Sequence, residues 1–538
     1  MAAPVNHVKN RLIIPLILLG LSALIGLQRI YTWSEPLERD LTLYAVIGHE
    51  LLAGRSLYSD LSDIKPPAIF VTYAAAEWLA GYGPTAIYLL GVIAAIITLL
   101  GVYWVGYSLS GSTGTGLWAA LFWTAICSDL GLQANQPNTE VFINACVIWA
   151  FALLLKSNYR HPWLWRYLMI GALLAIASLY KTVVIAIAVA LGGVHLAFPP
   201  GYPPDRRLAF KQVWVMAAVG GAAWALVFVY FAAVGHVKDF YEIVFVFNRY
   251  YAGNIIKNLV RGLHTFKGVL TLLVPFIYTT CIWAVLIKPK ELRRPWLLLV
   301  GLIIGSHIAV ALPGKWYPHY FQYWLPVFVV TAAWTIEEWG SLAERYSLWI
   351  KCYAGSIILI FMVAHESPNY KISPEEWSRK KYGEQFVESK EMGEEIRRIL
   401  KPGETFYEWG AESGLYYYSR KSPPSGVVLN YHLYGWPYGA GLVNRVVKDL
   451  EKAQPELFLI PERLVSGIKF PNPVLSWFST RYRPFSLQRS FILFARRGGQ
   501  LESRLGEPGE PVGVEALALA RGNEVLNQIK ALTPGEGK

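Results

Sequence analysis

The stretch KPPAIFVTYAAAEWLA, Lys65 to Ala80, decides how this 538-residue chain is threaded. It is apolar from Pro66 onward but only about fifteen residues long, where a straight membrane span needs ~20. Further apolar runs, several of them also shorter than ~20 residues, lie on both sides of it, at about 12–30, 85–107, 115–128, 141–156, 167–180, 182–198, 213–234, 269–287, 296–312, 322–337 and 348–364. If Pro66–Ala80 spanned, every later loop would change side. Three loops carry clustered cations: Lys156, Arg160 and Arg166; Arg206, Arg207 and Lys211; Lys288, Lys290, Arg293 and Arg294. With the N-terminus inside and about eleven spans, all three face the cytoplasm, as the bias of Lys and Arg toward short cytoplasmic loops requires. Pro66–Ala80 is therefore expected to lie in the interface or to re-enter from the outer side. A pair of extra spans elsewhere would also restore the parity.

Composition agrees with a membrane chain. Hydrophobic residues make up 54% and charged residues 16%, against about a quarter charged in a soluble domain. The deficit is confined to the part before residue 366. The expected fold is an α-helical polytopic membrane protein, with about eleven transmembrane helices plus interfacial helices over 1–365 and a small soluble α/β domain over 366–538. In the latter, Glu404–Gly410, Val427–Asn430, Glu456–Ile460 and Phe491–Ala495 read as strands. Glu391–Leu400 and Leu442–Lys452 read as helices, and Gly506–Val512 as a linker before a short terminal helix. Lys9 and Arg11 before Leu12–Leu27 resemble the start of a signal peptide. No small-x-small site follows, so an uncleaved first helix is expected. The net charge of +12 follows from the basic loops rather than from a nucleic-acid partner. Cys127, Cys146, Cys281 and Cys352 all fall in apolar runs, away from metal-ligand spacing, which argues against a disulfide framework or a cysteine zinc site.

This threading gathers polar segments on the outer face: Tyr31–Lys65, Ser128–Glu140, Tyr180–Lys181, Gly235–Gly268, Pro313–Phe321 and the C-terminal domain. Ionisable groups held at a membrane edge mark function. In the first segment, Glu38-Arg39-Asp40 leads into an amphipathic helix with apolar Leu41, Tyr44, Ala45, Leu51 and Leu52, and Asp40 shares a face with Tyr44. Asp40 fits a helix cap as well as a placed carboxylate. Lys65, ahead of two prolines, can snorkel to headgroups or hold a phosphate. Glu140 can serve the dipole of the helix it opens or a site. Lys181, midway along a long apolar stretch, marks an outer turn, because lysine in lipid is costly. Arg249 with Tyr250 and Tyr251, and Lys315 with His319 and Tyr320, fit an interfacial belt or a headgroup site.

One chemistry fits this set. Moving a sugar from a lipid phosphate to a hydroxyl needs a single carboxylate base and cations for the growing phosphate charge. It needs no general acid, because the phosphate leaves as a stable anion. A glycoside hydrolase would instead need two matched carboxyl groups.

The residues also carry a resemblance. The chain resembles the GT-C class of polyprenyl-phosphate-sugar-dependent glycosyltransferases, and is most similar to bacterial relatives of the protein O-mannosyltransferases and the lipid A aminoarabinose transferases. That family's first loop reads acidic residue, three residues, tyrosine, then A-x-x-L-x-x-G-x-x-x-Y-x-D and Lys-Pro-Pro. Asp40, Tyr44, Leu52, Gly54, Tyr58, Asp60 and Lys65-Pro66-Pro67 follow that outline. Pro318-His319-Tyr320-Phe321 followed by Leu325-Pro326 resembles the family's late outer loop. The resemblance covers the membrane domain, about two-thirds of the chain. It implies Asp40 as catalytic base and Lys65, Arg249 and His319 on the donor phosphate, with Tyr44, Tyr58, Asp60, Glu140, Lys181 and Tyr320 in support. It further implies a polyprenyl-phosphate-linked sugar donor, a protein, lipid or glycan acceptor, and a multi-pass protein of the inner (plasma) membrane whose site and C-terminal domain are extracytoplasmic. Two positions depart from the pattern. Asp40-Leu41 stands where Asp-Glu is common, and Ile64 where some members carry an acidic residue implicated in metal binding, which leaves a divalent metal ion open as cofactor. The rival readings are a transporter, which would carry internal repeats and midplane charges, and an oligosaccharide ligase or polymerase with a diphosphate carrier.

Overall fold

In the computed structural model, which describes residues 5–156, 163–201, 203–264, 270–286, 289–342, 344–467, 471–505 and 514–532, every one of the long apolar runs is a helix. They are Val5–Gln28, Pro84–Ser110, Thr113–Ile126, Thr139–Leu155, Trp163–Tyr180, Ile185–Ala197, Arg206–Ala233, Leu270–Leu286, Pro289–Ala311, Leu325–Ser341 and Ser347–Glu366. Runs of Leu, Ile, Val and Ala that satisfy their backbone groups within one segment are what lipid tolerates. Among the described residues, Pro84–Ser110, Arg206–Ala233, Arg294–Ala311 and Ser347–Lys371 are long and apolar enough to cross a membrane by length and composition, and the other apolar helices are shorter. Large apolar side chains stay exposed around the bundle, among them Leu16, Val189, Leu226 and Val285, as a lipid-facing surface requires. Of the basic-loop residues, Arg160 and Lys288 lie outside the described residues, as does Gly506–Val512.

Local chemistry sets the breaks. Asn138 accepts from Thr139 N at 2.8 Å and Asp205 from Leu208 N at 3.0 Å, each capping a helix start. Lys181 is extended (φ −158°, ψ 120°) between Trp163–Tyr180 and the next helical turn, so the expected turn is there. Helix Ala68–Ala80 has 13 residues, about 20 Å of rise against ~30 Å of hydrocarbon, and it packs on the first-loop helix Arg39–Leu52. Gly235–Gly268, read only as a polar segment, is largely helical where described: Val237–Tyr241, a π-helical turn Glu242–Phe247, Asn248–Ala252 and Ile255–Gly262. The bundle has two distinct ends. Helix Thr139–Leu155 begins at the polar loops described below, and at its other end Arg294 donates to Leu154 O at 3.1 Å.

The C-terminal region is α/β. Four strands, β1 (Phe406–Glu408), β2 (Leu457–Pro461), β3 (Tyr482–Gln488) and β4 (Phe491–Arg496), form one sheet in the order β1-β2-β4-β3. β1 runs parallel to β2, and the other pairings are antiparallel. Alternate residues face opposite ways. Phe406, Leu457, Leu459, Phe491 and Leu493 join the core of the membrane helices, while Tyr407, Phe458, Ile460, Ile492 and Phe494 form a second core under the outer helices. A single hydrophobic core thus runs across residue 366. The expected helices are Gln385–Ile399 and Gly439–Ala453, and the terminal one is Val514–Leu532.

One expectation fails here, and one strand goes unread in the sequence. Val427–Asn430 is not a strand, because its polar groups are met individually: Tyr407 OH donates to Val427 O at 3.1 Å and Asn430 N to Gly410 O at 2.8 Å. β3 was not expected, because Pro484 interrupts its pattern. It is an edge strand with an irregularity at Pro484–Ser486, where proline is tolerated.

Gly426 shows how closely the C-terminal region meets the first polar loop. Ser62 N donates to Gly426 O at 2.9 Å, and a Cβ on Gly426 would overlap the Asp60 carbonyl. Gly426→Ala is expected to cost about 1–3 kcal/mol, as overpacking does, and the loss is checked by the melting temperature of the detergent-purified protein.

Candidate active site

The polar loop segments converge on one cavity of about 850 Å³. Its lining takes Glu38, Arg39 and Asp40 from the start of the first-loop helix, Lys65 and Pro66 from the loop's end, Gln133 and Asn138 from the second loop, and Lys181 from the turn. Phe247, Asn248, Arg249 and Tyr251 come from the fourth segment and Lys315, His319 and Tyr320 from the fifth. Tyr382, Gln385, Phe386, Tyr431 and Tyr434 close it from the C-terminal region. Five lining residues are Lys or Arg (Arg39, Lys65, Lys181, Arg249, Lys315) and two are acidic (Glu38, Asp40).

At its centre Lys65 Nζ lies 3.0 Å from Asp40 Oδ2 and 3.8 Å from Asp63 Oδ1. Tyr44, one helical turn beyond Asp40, donates either to Asp40 Oδ2 at 3.3 Å or to Asn138 Oδ1 at 3.1 Å. Tyr58 is buried and donates to Lys65 O at 2.8 Å, so it fixes the backbone of Lys65 without lining the cavity. Asp60 points away, accepting from Ser56 N at 2.8 Å in an exposed turn. Glu140 is buried beneath the cavity wall, 2.7 Å from Lys181 Nζ, with Tyr323 OH donating to it at 3.3 Å. Lys181 also lies 3.5 Å over the Tyr320 ring. Arg249 donates to Gly253 O at 2.6 Å, which leaves other guanidinium N–H groups unspent. His319 pairs with Gln133 Oε1 through Nδ1 at 2.9 Å. Burial pushes its pKa down to about 4, so this residue, grouped with the cations from sequence, is neutral near pH 7.

Electrostatics separate the two acidic residues. Burial alone would raise Asp40, but the charge of Lys65, helped by His319 and by the Lys65 hydrogen bond, holds it at about 2. Burial and then the Asp40 charge push Glu38 up to about 8, and its Oε1 accepts from Asn138 Nδ2 at 3.0 Å. One carboxylate is thus ionised and its neighbour protonated, the pattern that assigns separate roles. Glu38 and Gln133 were not singled out from sequence. Their only signal was lying beside Asp40 or within a loop already placed outside. Arg29, also passed over, is buried and holds the second loop, donating to the carbonyls of Cys127, of Ala134 at 2.9 Å and of Asn135 at 3.3 Å.

A metal held by the residue before Lys-Pro-Pro finds no fit. The Ile64 carbonyl accepts from Asn248 Nδ2 at 2.7 Å, and the Lys65 ammonium sits between the Asp40 and Asp63 carboxylates where a cation would go.

The protonated acids make stability depend on pH. Glu408, in the C-terminal region, is also raised to about 8, by burial and then by the charge of Glu412. For a raised acid the folded state keeps a proton that the unfolded chain has lost. This contribution is present below the ordinary value of 4.5 and is lost as pH rises toward about 8. Asp40 acts in the opposite sense, since its contribution disappears only as pH falls toward about 2. Buried His319, lowered from 6.5 to about 4, works against this below its ordinary value, so the melting temperature is expected to fall between about pH 6.5 and 8. Glu38→Gln with Glu408→Gln should flatten that slope.

The sequence matches no protein-family model and no curated protein. Its structure is similar to that of ArnT from Cupriavidus metallidurans bound to undecaprenyl phosphate, at TM-score 0.60 and 14% identity, covering 92% of this chain and 99% of that one. It is also similar to the archaeal oligosaccharyltransferase AglB from Archaeoglobus fulgidus in complex with an inhibitory peptide and a dolichol-phosphate, at TM-score 0.51 and 12% identity, covering 93% of this chain and 75% of that one. Both belong to the GT-C superfamily. The chain therefore has the GT-C fold of polytopic, helical membrane proteins.

Proposed function

We propose that the protein is an inverting glycosyltransferase that moves a monosaccharide from a polyprenyl monophosphate to a hydroxyl of an extracytoplasmic protein, lipid or glycan. The observation that carries this reading is the single ionised carboxylate of the lining, Asp40, paired with Lys65 in a cavity that Arg249 and Lys315 also line, while Lys181 and Arg39 are paired with Glu140 and Glu412. Such a lining favours an anionic ligand. Val244, Phe245, Phe247 and Leu312 give the same cavity an apolar side, which suits a lipid. The fold is shared with ArnT bound to undecaprenyl phosphate, which supports a lipid phosphate as donor.

In this mechanism the acceptor hydroxyl gives its proton to Asp40 Oδ2 as its oxygen bonds to the anomeric carbon. The bond from that carbon to the phosphate oxygen breaks on the opposite face, and the electron pair leaves with the polyprenyl phosphate. Lys65 swings from Asp40 to the phosphate and takes up the new charge, with Arg249 assisting. Donor binding thereby frees the base it needs. Tyr44 and Asn138 orient Asp40, while Glu140 holds Lys181 in the wall.

Purified full-length protein incubated with labelled polyprenyl-phosphate sugars and a membrane extract tests this directly. Label should move from a monophosphate donor to extract components, and should not move with Asp40→Asn. Transfer from diphosphate-linked oligosaccharides alone would replace this reading with that of a ligase.

A further inference from the structure

Three metal-ligating side chains meet outside the lining of the cavity, where the second outer loop touches the end of the last apolar helix. Asp129 belongs to that loop, and His365 and Glu366 end helix Ser347–Glu366. Their ligating atoms lie within 4.8 Å of one another. His365 Nε2 is 4.0 Å from Asp129 Oδ2 and 3.7 Å from Glu366 Oε1. Ligands around a tetrahedral zinc, with bonds of about 2.1 Å, stand ~3.4 Å apart, so small side-chain rotations would close the set.

The second observation is the state of the two carboxylate oxygens. Asp129 is 0% and Glu366 7% exposed, yet Asp129 Oδ2 and Glu366 Oε1 meet no hydrogen-bond donor. The other oxygen of each is held, Asp129 Oδ1 by Leu132 N at 2.6 Å and Glu366 Oε2 by Asn369 Nδ2 at 3.0 Å. Lys380 bonds Asn369 Oδ1 rather than either acid. Buried acceptors left without a donor are costly, and both of these face the same imidazole. His365 is partly exposed, which gives an ion a route in and a water its fourth position.

We propose that Asp129, His365 and Glu366 bind a divalent transition metal of the zinc class that clips the second outer loop to the end of the last membrane helix. The loop carries Gln133 and Asn138 to the cavity, so the clip fixes one wall of the site without entering the chemistry. This inference does not depend on the glycosyl-transfer reading. A proton shared by the two carboxyl groups would satisfy the same oxygens, and the experiment separates the two.

Full-length protein in detergent is stripped with EDTA, re-equilibrated with Zn²⁺ alone and desalted. The wild type should retain about one zinc per chain and melt at a higher temperature than the stripped form. Asp129→Asn and His365→Ala should lose both the bound zinc and the zinc-dependent shift. His365→Ala changes a half-exposed side chain, so it keeps the test valid even if Asp129→Asn folds poorly. Zinc content in the wild type no higher than in His365→Ala overturns the proposal. So does Asp129→Asn melting above the wild type with no response to zinc in either, which is the result the shared proton predicts.

Discussion

Asp40→Asn should lower the rate of sugar transfer ~10²- to 10⁴-fold, the range that a positioned general base contributes. The replacement is nearly isosteric and retains an acceptor for the Tyr44 hydroxyl, which lies 3.3 Å from Asp40 Oδ2, so the fold and the cavity should survive. It also releases Lys65 from its 3.0 Å partner, which leaves the ammonium freer to meet a phosphate. KM for the donor should therefore stay level or fall while kcat collapses. A purely structural role for Asp40 would instead raise KM and lower the melting temperature together. A variant working within about tenfold of the wild type would remove Asp40 from the chemistry.

Lys65→Met should act on both binding and chemistry. Removing one charged group that stabilises a developing anion costs ~10²- to 10³-fold in kcat, and loss of the phosphate's cation should raise KM for the donor as well. There is a third, distinguishing effect. Although burial works against it, Lys65 is the main reason that Asp40 titrates at about 2. Without the ammonium the Asp40 pKa rises, so the acid limb of the residual pH–rate profile should move up in pH. Lys65→Arg should restore the position of that limb while recovering only part of the rate, since a planar fork replaces a compact charge. A limb that stays in place in Lys65→Met would mean that the two side chains are not coupled in the working enzyme.

Much of this arrangement was legible in the sequence because lipid imposes simple rules. Apolar run length located the helices, and the sidedness of Lys and Arg put Asp40, Lys65, Lys181, Arg249 and His319 on one face. The cavity unites all five. What stayed hidden depends on the third dimension. Glu38 looked like an ordinary loop acid, and its protonation follows from burial beside Asp40, which no local pattern encodes. His319 counted as a near-cation until its surroundings removed water. Tyr382, Tyr431 and Tyr434 come from a region whose role had no motif. Pro484 hid β3, and the apolar Val427-Val428-Leu429 imitated a strand that neighbouring side chains had already satisfied.

The seam between the two halves has a consequence for engineering. Ser413 donates to Arg39 O at 2.7 Å, Thr42 and Ser413 share a hydrogen bond of 2.8 Å, and Glu412 pairs with Arg39 at 3.3 Å. These contacts grip the residues on either side of Asp40. The C-terminal region is thus not an interchangeable cartridge. A chimera that grafts a foreign one onto this bundle would keep Asp40 in place only if it also brought a serine and a carboxylate to the places of Ser413 and Glu412. Otherwise the backbone on either side of Asp40 would loosen.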